Sequence, residues 1–282
     1  MKSVNLIISE YTKKYGLKNG EIIRVLRSII GKIKNTSSET IIFSPEKVSM
    51  NDDETHILEN MLLRYLKKEP LSKIINRKAF WNHDFFVNEH VLDPRSETEI
   101  IVQMVLERFS VTSPLRFLDL GTGSGCILLS LMSEFPHAIG LGLDLSQEAI
   151  RVAIHNREKL KLKNVDFLKI DWNSFLCNQK FDVIVSNPPY VKTSHIPKLG
   201  KSVRDYDPVL ALDGGKSGLR AHEEISGLAR KWLSPHGKIF LEIGRGQASK
   251  VQKILRKNRF KIEKIETDMN GLERAICAAV CV

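Results

Sequence analysis

The chain has 282 residues, 42% hydrophobic and 27% charged, with a formal net charge of +10. That length suits one large domain, or a small domain joined to a standard one, and the composition is ordinary for a globular protein. No run approaches the ~18 consecutive apolar residues of a membrane helix, and Met1-Lys2-Ser3-Val4-Asn5 leads straight into polar helical sequence, so neither a membrane span nor a signal peptide is expected.

The positive excess is spread out, +4 over residues 1–90 and +6 over residues 91–282, with no dense basic tail. It suits an acidic partner, nucleic acid or protein, without separating the two. Cys126, Cys177, Cys277 and Cys281 form no CxxC pair, which points to unpaired thiols in a reducing, cytoplasmic setting. The histidines are scattered without metal-ligand spacing, so no metal is expected.

The first ~85 residues carry helical periodicity. Val4, Ile7, Ile8 and Tyr11 share one face, as do Ile22, Ile23, Leu26, Ile29 and Ile30. A third helix is expected after Asn51-Asp52-Asp53, with Ile57, Met61, Leu62 and Tyr65 turned inward. Residues 76–93 alternate, with Phe80, Phe85, Val87 and Val91 apolar, as in a short hairpin or extended linker. Ser96-Glu97-Thr98-Glu99 reads as a capping box opening a helix through Ile100, Ile101, Met104, Val105 and Phe109. The expected division is a helical bundle at 1–75, a hairpin or linker at 76–95 and an α/β domain at 96–282.

From Arg116 onward strand and helix alternate. Strands are expected at 116–120, 138–143, 165–169, 181–186 and 238–243, with helices at 147–160 and 218–233. Such alternation means crossover connections and a parallel sheet covered on both faces. The last two strands, 261–267 and 274–282, flank a turn containing Asn270-Gly271 and are expected to close an antiparallel hairpin at one edge.

Phe117-Leu118-Asp119-Leu120-Gly121-Thr122-Gly123-Ser124-Gly125 is a strand, a glycine-rich turn and a helix start, and Asp144 closes the next strand. Glycines let the turn approach a ligand closely, and the second carboxylate suits ribose hydroxyls, so a nucleoside-bearing cofactor is expected. Asp119 argues against a dinucleotide, because a carboxylate there would repel pyrophosphate; a buried aspartate satisfied by backbone amides is the competing reading. S-adenosyl-L-methionine carries no phosphate, and its ammonium is favoured by a nearby carboxylate. Asp171 after the third strand is placed to accept an adenine amino group, with the Trp172 indole beside the ring; ordinary core filling competes for Trp172.

The strand at 181–186 ends in Asn187-Pro188-Pro189-Tyr190. Two prolines continue neither sheet nor helix, and they hold the backbone rigidly. The Asn187 side-chain oxygen and the Pro188 carbonyl are thereby suited to grip one NH2 group, with Tyr190 stacked on the planar group that carries it. An amide nitrogen is a poor nucleophile because its lone pair is delocalised. Two acceptors on its hydrogens favour the geometry in which that lone pair faces an electrophilic methyl, and alignment alone supplies up to ~7–11 kcal/mol.

With these motifs the chain resembles the HemK-type protein-(glutamine-N5) methyltransferases specific for peptide chain release factors. Further similarity lies in Leu92-Asp93-Pro94-Arg95-Ser96-Glu97-Thr98-Glu99, in Tyr206-Asp207-Pro208, in Ala211-Leu212-Asp213-Gly214-Gly215 with Gly218-Leu219, in Leu241-Glu242-Ile243-Gly244, and in Asp268–Arg274. The resemblance implies a class I methyltransferase fold: a Rossmann-like, mostly parallel seven-stranded sheet with an antiparallel C-terminal hairpin, plus the small N-terminal helical bundle. It implies that Gly121–Gly125, Asp144, Trp172 and Asn187 contact S-adenosylmethionine. Asn187, Pro188, Pro189 and Tyr190 would hold the glutamine of a Gly-Gly-Gln motif, and the bundle would recognise the release factor. Arg95, which capping leaves unexplained, joins the substrate-binding set. The implied partner is a release factor, met by a monomer without a stable nucleic-acid complex.

Departures from the family pattern include Asp93 and Ser96 in the joining segment, Asp207 before Pro208, and Asn76 and Asn82 at glycine positions, where asparagine best tolerates positive φ. The main competitor is a methyltransferase for exocyclic amino groups of nucleobases, which uses the same Asn-Pro-Pro-aromatic turn; it is expected to need a denser basic track. A dinucleotide oxidoreductase fails on Asp119 and on the lack of a hydride-transfer partner, and a bare binding module fails on the completeness of the turn.

Overall fold

A computed structural model describes residues 2–15 and 20–281, which fall into two units, Met1–Asn76 and Arg77–Val282. Met1, residues 16–19 and Val282, which the expected bundle and final strand include, lie outside the described residues.

The first unit runs β1 (Lys2–Ser3), α1 (Val4–Lys14), α2 (Gly20–Lys34), α3 (Ser38–Phe43), β2 (Ser49–Met50), α4 (Asp52–Leu66) and α5 (Leu71–Ile75). The apolar stripes of α1, α2 and α4 meet in one core that holds Ile7, Leu26, Ile29, Ile30, Leu58 and Leu62. Asn51 starts α4 in a capping box, its side chain accepting from the Glu54 N–H while the Glu54 carboxylate takes the Asn51 N–H. Of the four α4 residues expected inward, Leu62 is buried and Met61 and Tyr65 pack against this core, but Ile57 is 48% exposed and Leu58 is buried in its place. The stripe is set by Leu58 and Leu62, four apart, and Ile57 falls beside it.

The second unit continues with β3 (Lys78–Phe80), β4 (His83–Phe85), α6 (Glu99–Leu106), β5 (Arg116–Leu120), α7 (Cys126–Glu134), β6 (Ile139–Asp144), α8 (Gln147–Leu160), β7 (Val165–Lys169) and β8 (Phe181–Ser186). Then come α9 (Lys201–Arg204), α10 (Val209–Leu212), α11 (Arg220–Trp232), β9 (Leu233–Glu242), α12 (Ala248–Lys257), β10 (Phe260–Thr267) and β11 (Glu273–Val280). The seven-stranded sheet has the order β10-β11-β9-β8-β5-β6-β7. Its β9-to-β7 part is parallel, and β11 runs antiparallel to both β9 and β10.

Strand period two explains why these segments are apolar throughout: neighbouring residues face opposite layers, and both layers are covered. Phe117, Val183, Val185 and Phe240 face the layer of α6 and α7, whereas Leu118, Ile184, Ile239 and Leu241 face that of α11 and α12. The hairpin β3–β4 inserts Phe80 and Phe85 into the α6–α7 layer and so belongs to this unit's core. Among the described residues no helix is long and apolar enough to cross a membrane.

Two local expectations fail here. Ser96–Thr98 forms a 3-10 turn without a side-chain cap, and the Glu99 carboxylate accepts from the Trp81 N–H instead (2.7 Å), so no capping box forms. Of the two asparagines, Asn76 has φ 53° and ends α5, but in the β3–β4 turn the positive φ (53°) falls on Trp81 rather than on Asn82. Trp81 accepts that backbone because its N–H is held by Glu99 and its indole donates to Glu134 (2.7 Å).

Candidate active site

The strand order reverses at β5, which has β6 on one side and β8 on the other, and the ends of these strands open a crevice where ligands bind in such folds. A cavity of about 500 Å³ lies there, within the size range of small-molecule sites. Its wall includes Gly121, Thr122, Gly123 and Ser124 after β5, Asp144 at the end of β6, and Asp171 and Trp172 after β7. Asn187 and Pro189 after β8 complete it, with Pro94 and Thr98 from the segment before α6.

The glycine turn is bound to its neighbour strand: the Gly121 and Thr122 N–H groups both donate to the Leu143 carbonyl (2.9 Å each). Asp144 holds the Gly123 N–H on one oxygen and the Ser146 N–H on the other (2.9 Å each). Burial raises its carboxyl above the usual range, against the pull of these amides. Asn156 of α8, 1% exposed, accepts from the Phe86 N–H and donates to the Phe86 and Ser124 carbonyls, tying helix and turn together.

Asp119 is fully buried behind this turn and does not line the cavity. One of its oxygens accepts from the Thr122 hydroxyl (2.7 Å), and the other has no partner among the described residues. Burial, with Asp144 nearby, pushes its carboxyl up to about 7. Gly125 also lies off the cavity, where it starts α7. Asp171 caps the short turn at Trp172–Ser174 through Oδ1, and the half-buried Trp172 donates its indole N–H to Glu224 (2.9 Å). Trp172 thus packs on the α11 layer and walls the cavity at once.

The turn at 187–190 is buttressed from behind. Gln247 donates to the carbonyls of Tyr190 and Gly218 (3.0 Å each), and Val191 exchanges backbone bonds with Leu212 and Gly214. A side chain at Gly218, whose φ is +74°, would meet the Tyr190 carbonyl at 2.7 Å, so this close approach requires glycine. In front, Asn187 Nδ2 donates to Thr98 Oγ1 (3.2 Å) and Thr98 Oγ1 donates to Glu242 Oε2 (2.5 Å). Tyr190 Oη donates to Glu242 Oε1 (3.2 Å).

Pro188, Tyr190 and Arg95 do not line the cavity. Arg95 is paired with Asp207 (2.8 Å), whose other oxygen accepts from the Asp93 N–H (3.3 Å). The two aspartates that depart from the family pattern therefore sit together around Arg95. Residue-level reading missed the roles of Thr98, Glu242, Asn156 and Gln247. The first two stood inside recognised motifs; the last two have no local signal.

A family model described as a methyltransferase domain matches residues 112–274. A release factor glutamine methyltransferase of Thermodesulfovibrio yellowstonii is 40% identical over 82% of this chain and 84% of its own length. The chain belongs to the release factor glutamine methyltransferase family. A bifunctional methyltransferase of Rickettsia felis is 33% identical over 98% of this chain, which spans 57% of that protein's length. A methyltransferase structure from Pyrococcus furiosus has a TM-score of 0.53 at 19% identity, covering 78% of this chain and 98% of its own, and so shares the fold. The fold is that of class I methyltransferases, and the cofactor of this family is S-adenosylmethionine.

The residues present fit that cofactor. The glycine turn leaves open space at Gly123, Asp144 stands at the cavity with both oxygens oriented by amides, and Trp172 supplies a flat wall. The unpartnered buried oxygen of Asp119 favours positive charge and opposes phosphate.

Proposed function

We propose that the chain transfers the methyl group of S-adenosylmethionine to the side-chain amide nitrogen, N5, of the glutamine in the Gly-Gly-Gln motif of peptide chain release factors. When bound, the cofactor supplies an electrophilic methyl on a sulfonium. Gly121, Thr122, Gly123 and Ser124 would hold it from below, Asp144 would take its ribose hydroxyls, and Asp171 and Trp172 its adenine. Asp119, behind the turn, would favour the cofactor's ammonium through its ionised form, which its raised carboxyl reaches as pH climbs through about 7.

The observation that carries the reading is the Asn187 amide, which lines the same cavity with Nδ2 already committed to Thr98. Oδ1 is the atom left for a ligand, and an acceptor there matches an NH2 donor. Together with the Pro188 carbonyl it would grip both amide hydrogens and turn the nitrogen lone pair toward the methyl group. Tyr190, fixed through its hydroxyl and carbonyl, gives the flat face for the glutamine amide. Burial and Glu242 raise the Tyr190 phenol well above its ordinary value, so it stays a neutral donor and no base.

The family match weighs against the exocyclic-amino nucleobase alternative. The helical unit (1–75) would recognise the release factor, with the 76–95 segment and the 96–282 domain forming the enzyme proper, a cytoplasmic monomer without a stable nucleic-acid complex. Radiolabelled methyl transfer to purified release factor tests the reading, with a Gln→Ala change in the Gly-Gly-Gln motif as control. Label in the wild-type factor alone supports it; label only in tRNA, rRNA or DNA refutes it.

A further inference from the structure

We propose that Glu242, acting through Thr98, is a positioning residue that dictates which end of the Asn187 amide faces the substrate, and thereby makes the site select an amide NH2 over a carboxylate. The proposal rests on the methyl-transfer reading above and deepens it.

An asparagine side chain presents nearly the same shape either way round, so the bonds around it decide its orientation. Here the decision starts at Glu242, 3% exposed at the end of β9, next to β8, which leads into the catalytic turn. An ionised carboxylate only accepts. Thr98, 2% exposed, must therefore give its single hydroxyl proton to Oε2, which leaves Oγ1 as acceptor toward Asn187. Asn187 answers with Nδ2, and Oδ1 is left for the cavity. Tyr190, donating to Oε1, places the second substrate-facing group on the same carboxylate. One buried charge thus orients both sides of the amide grip.

The opposite polarity would be self-defeating. A protonated Glu242 can donate to Thr98 Oγ1, and the Thr98 hydroxyl can then turn toward Asn187 and bond Oδ1. Nδ2 would face the cavity, and two donors would meet at a substrate NH2. A glutamate side chain, which offers acceptors, is repelled by the observed polarity; glutamine is matched.

The groups around Glu242 bear on its charge. Arg274 of β11 favours ionisation, and Glu97 from the turn before α6 opposes it. Arg95 acts on Tyr190, Cys126 of α7 lies within its field, and His222 of α11 bonds the Glu242 backbone carbonyl (2.9 Å). Burial outweighs the donors and pushes the carboxyl up to about 7. Transfer therefore depends on the ionised form and is lost as pH falls through that value.

The test uses the full chain with release factor as methyl acceptor, alongside the Asn187 side-chain amide followed by nitrogen-15 NMR. Thr98→Val and Glu242→Gln should each lower kcat by about tenfold or more, with cofactor affinity within about twofold of wild type, and Thr98→Ser should restore the rate. The wild-type kcat should fall on acidification with a midpoint near 7, and the Glu242→Gln profile should lack that limb. The Asn187 amide resonance should move with the same midpoint in the wild type and stay put in Glu242→Gln. A Thr98→Val kcat within about twofold of wild type, or an Asn187 resonance indifferent to pH, overturns the proposal. Wild-type protein that methylates no release factor would instead refute the substrate reading; the NMR titration needs no substrate and decides the amide orientation by itself.

Discussion

Asn156 makes the strongest case for a residue that builds the cofactor site without touching it. It accepts from the Phe86 N–H (2.7 Å) and donates to the Phe86 carbonyl (3.0 Å) and the Ser124 carbonyl (2.9 Å), so one amide clamps the segment after β4 and the glycine turn to α8. Asn156→Ala leaves three backbone groups without partners at a site 1% exposed. At ~1 kcal/mol for each lost bond, and more where water cannot enter, the second unit should lose about 3–4 kcal/mol. With ~2–4 °C per kcal/mol for a unit of this size, its thermal midpoint should drop by roughly 6–16 °C. Asn156→Asp should be at least as harmful, because it keeps one acceptor but sets a carboxylate against two carbonyl oxygens. Urea and thermal denaturation, followed by the fluorescence of Trp81, Trp172 and Trp232, all in this unit, measure both. A loss below about 1 kcal/mol in Asn156→Ala would refute the reasoning, since it would mean that water or relaxation replaces the clamp at no cost.

Gly142→Ala should cost about 1–3 kcal/mol and weaken cofactor binding, because the added methyl would lie 2.5 Å from the Phe167 ring and 2.9 Å from Thr122 Oγ1; denaturation and calorimetry check this. Asp144→Ala should abolish the rise in thermal midpoint that saturating S-adenosylmethionine gives the wild type, about 2.7 kcal/mol of stabilisation at a hundredfold excess over Kd. Asp119 has a folded-state carboxyl raised to about 7 above its ordinary 3.8, so its contribution is full at low pH and is lost as pH climbs through that interval. Asp119→Asn should therefore gain on the wild type between those limits, by up to about 1.4 kcal/mol per pH unit in urea titrations. A constant gap across that range would show that Asp119 is ionised in the folded chain throughout.

Much of this protein was legible from local chemistry. Continuous apolar strands separated by amphipathic helices demand a parallel sheet covered on both faces, and Phe117 and Leu118, buried in opposite layers, show why no alternation appears. Asn270-Gly271 marks the closing hairpin, where Gly271 takes φ 74° and Asp268 holds the N–H groups of Asn270 and Leu272. The glycine turn, Asp144 and Asn187–Tyr190 announce their chemistry because backbone freedom and backbone rigidity are each encoded by a few residue types.

Other features depend on which distant residue arrives first. Ser96 and Glu99 have the spacing of a capping box, yet Glu99 is taken by the Trp81 N–H from the β3–β4 turn, whose own strain needs that partner. Asn187 is 89 positions from Thr98, and Thr98 is 144 from Glu242, so no local pattern announces that the three share one chain of bonds. The sequence by itself determined the sheet, the glycine turn and the Asn187–Tyr190 turn that carries the proposed catalytic amide. Only the tertiary structure decided which way that amide points, because its direction is set by a buried charge at the end of the neighbouring strand, far away in the chain.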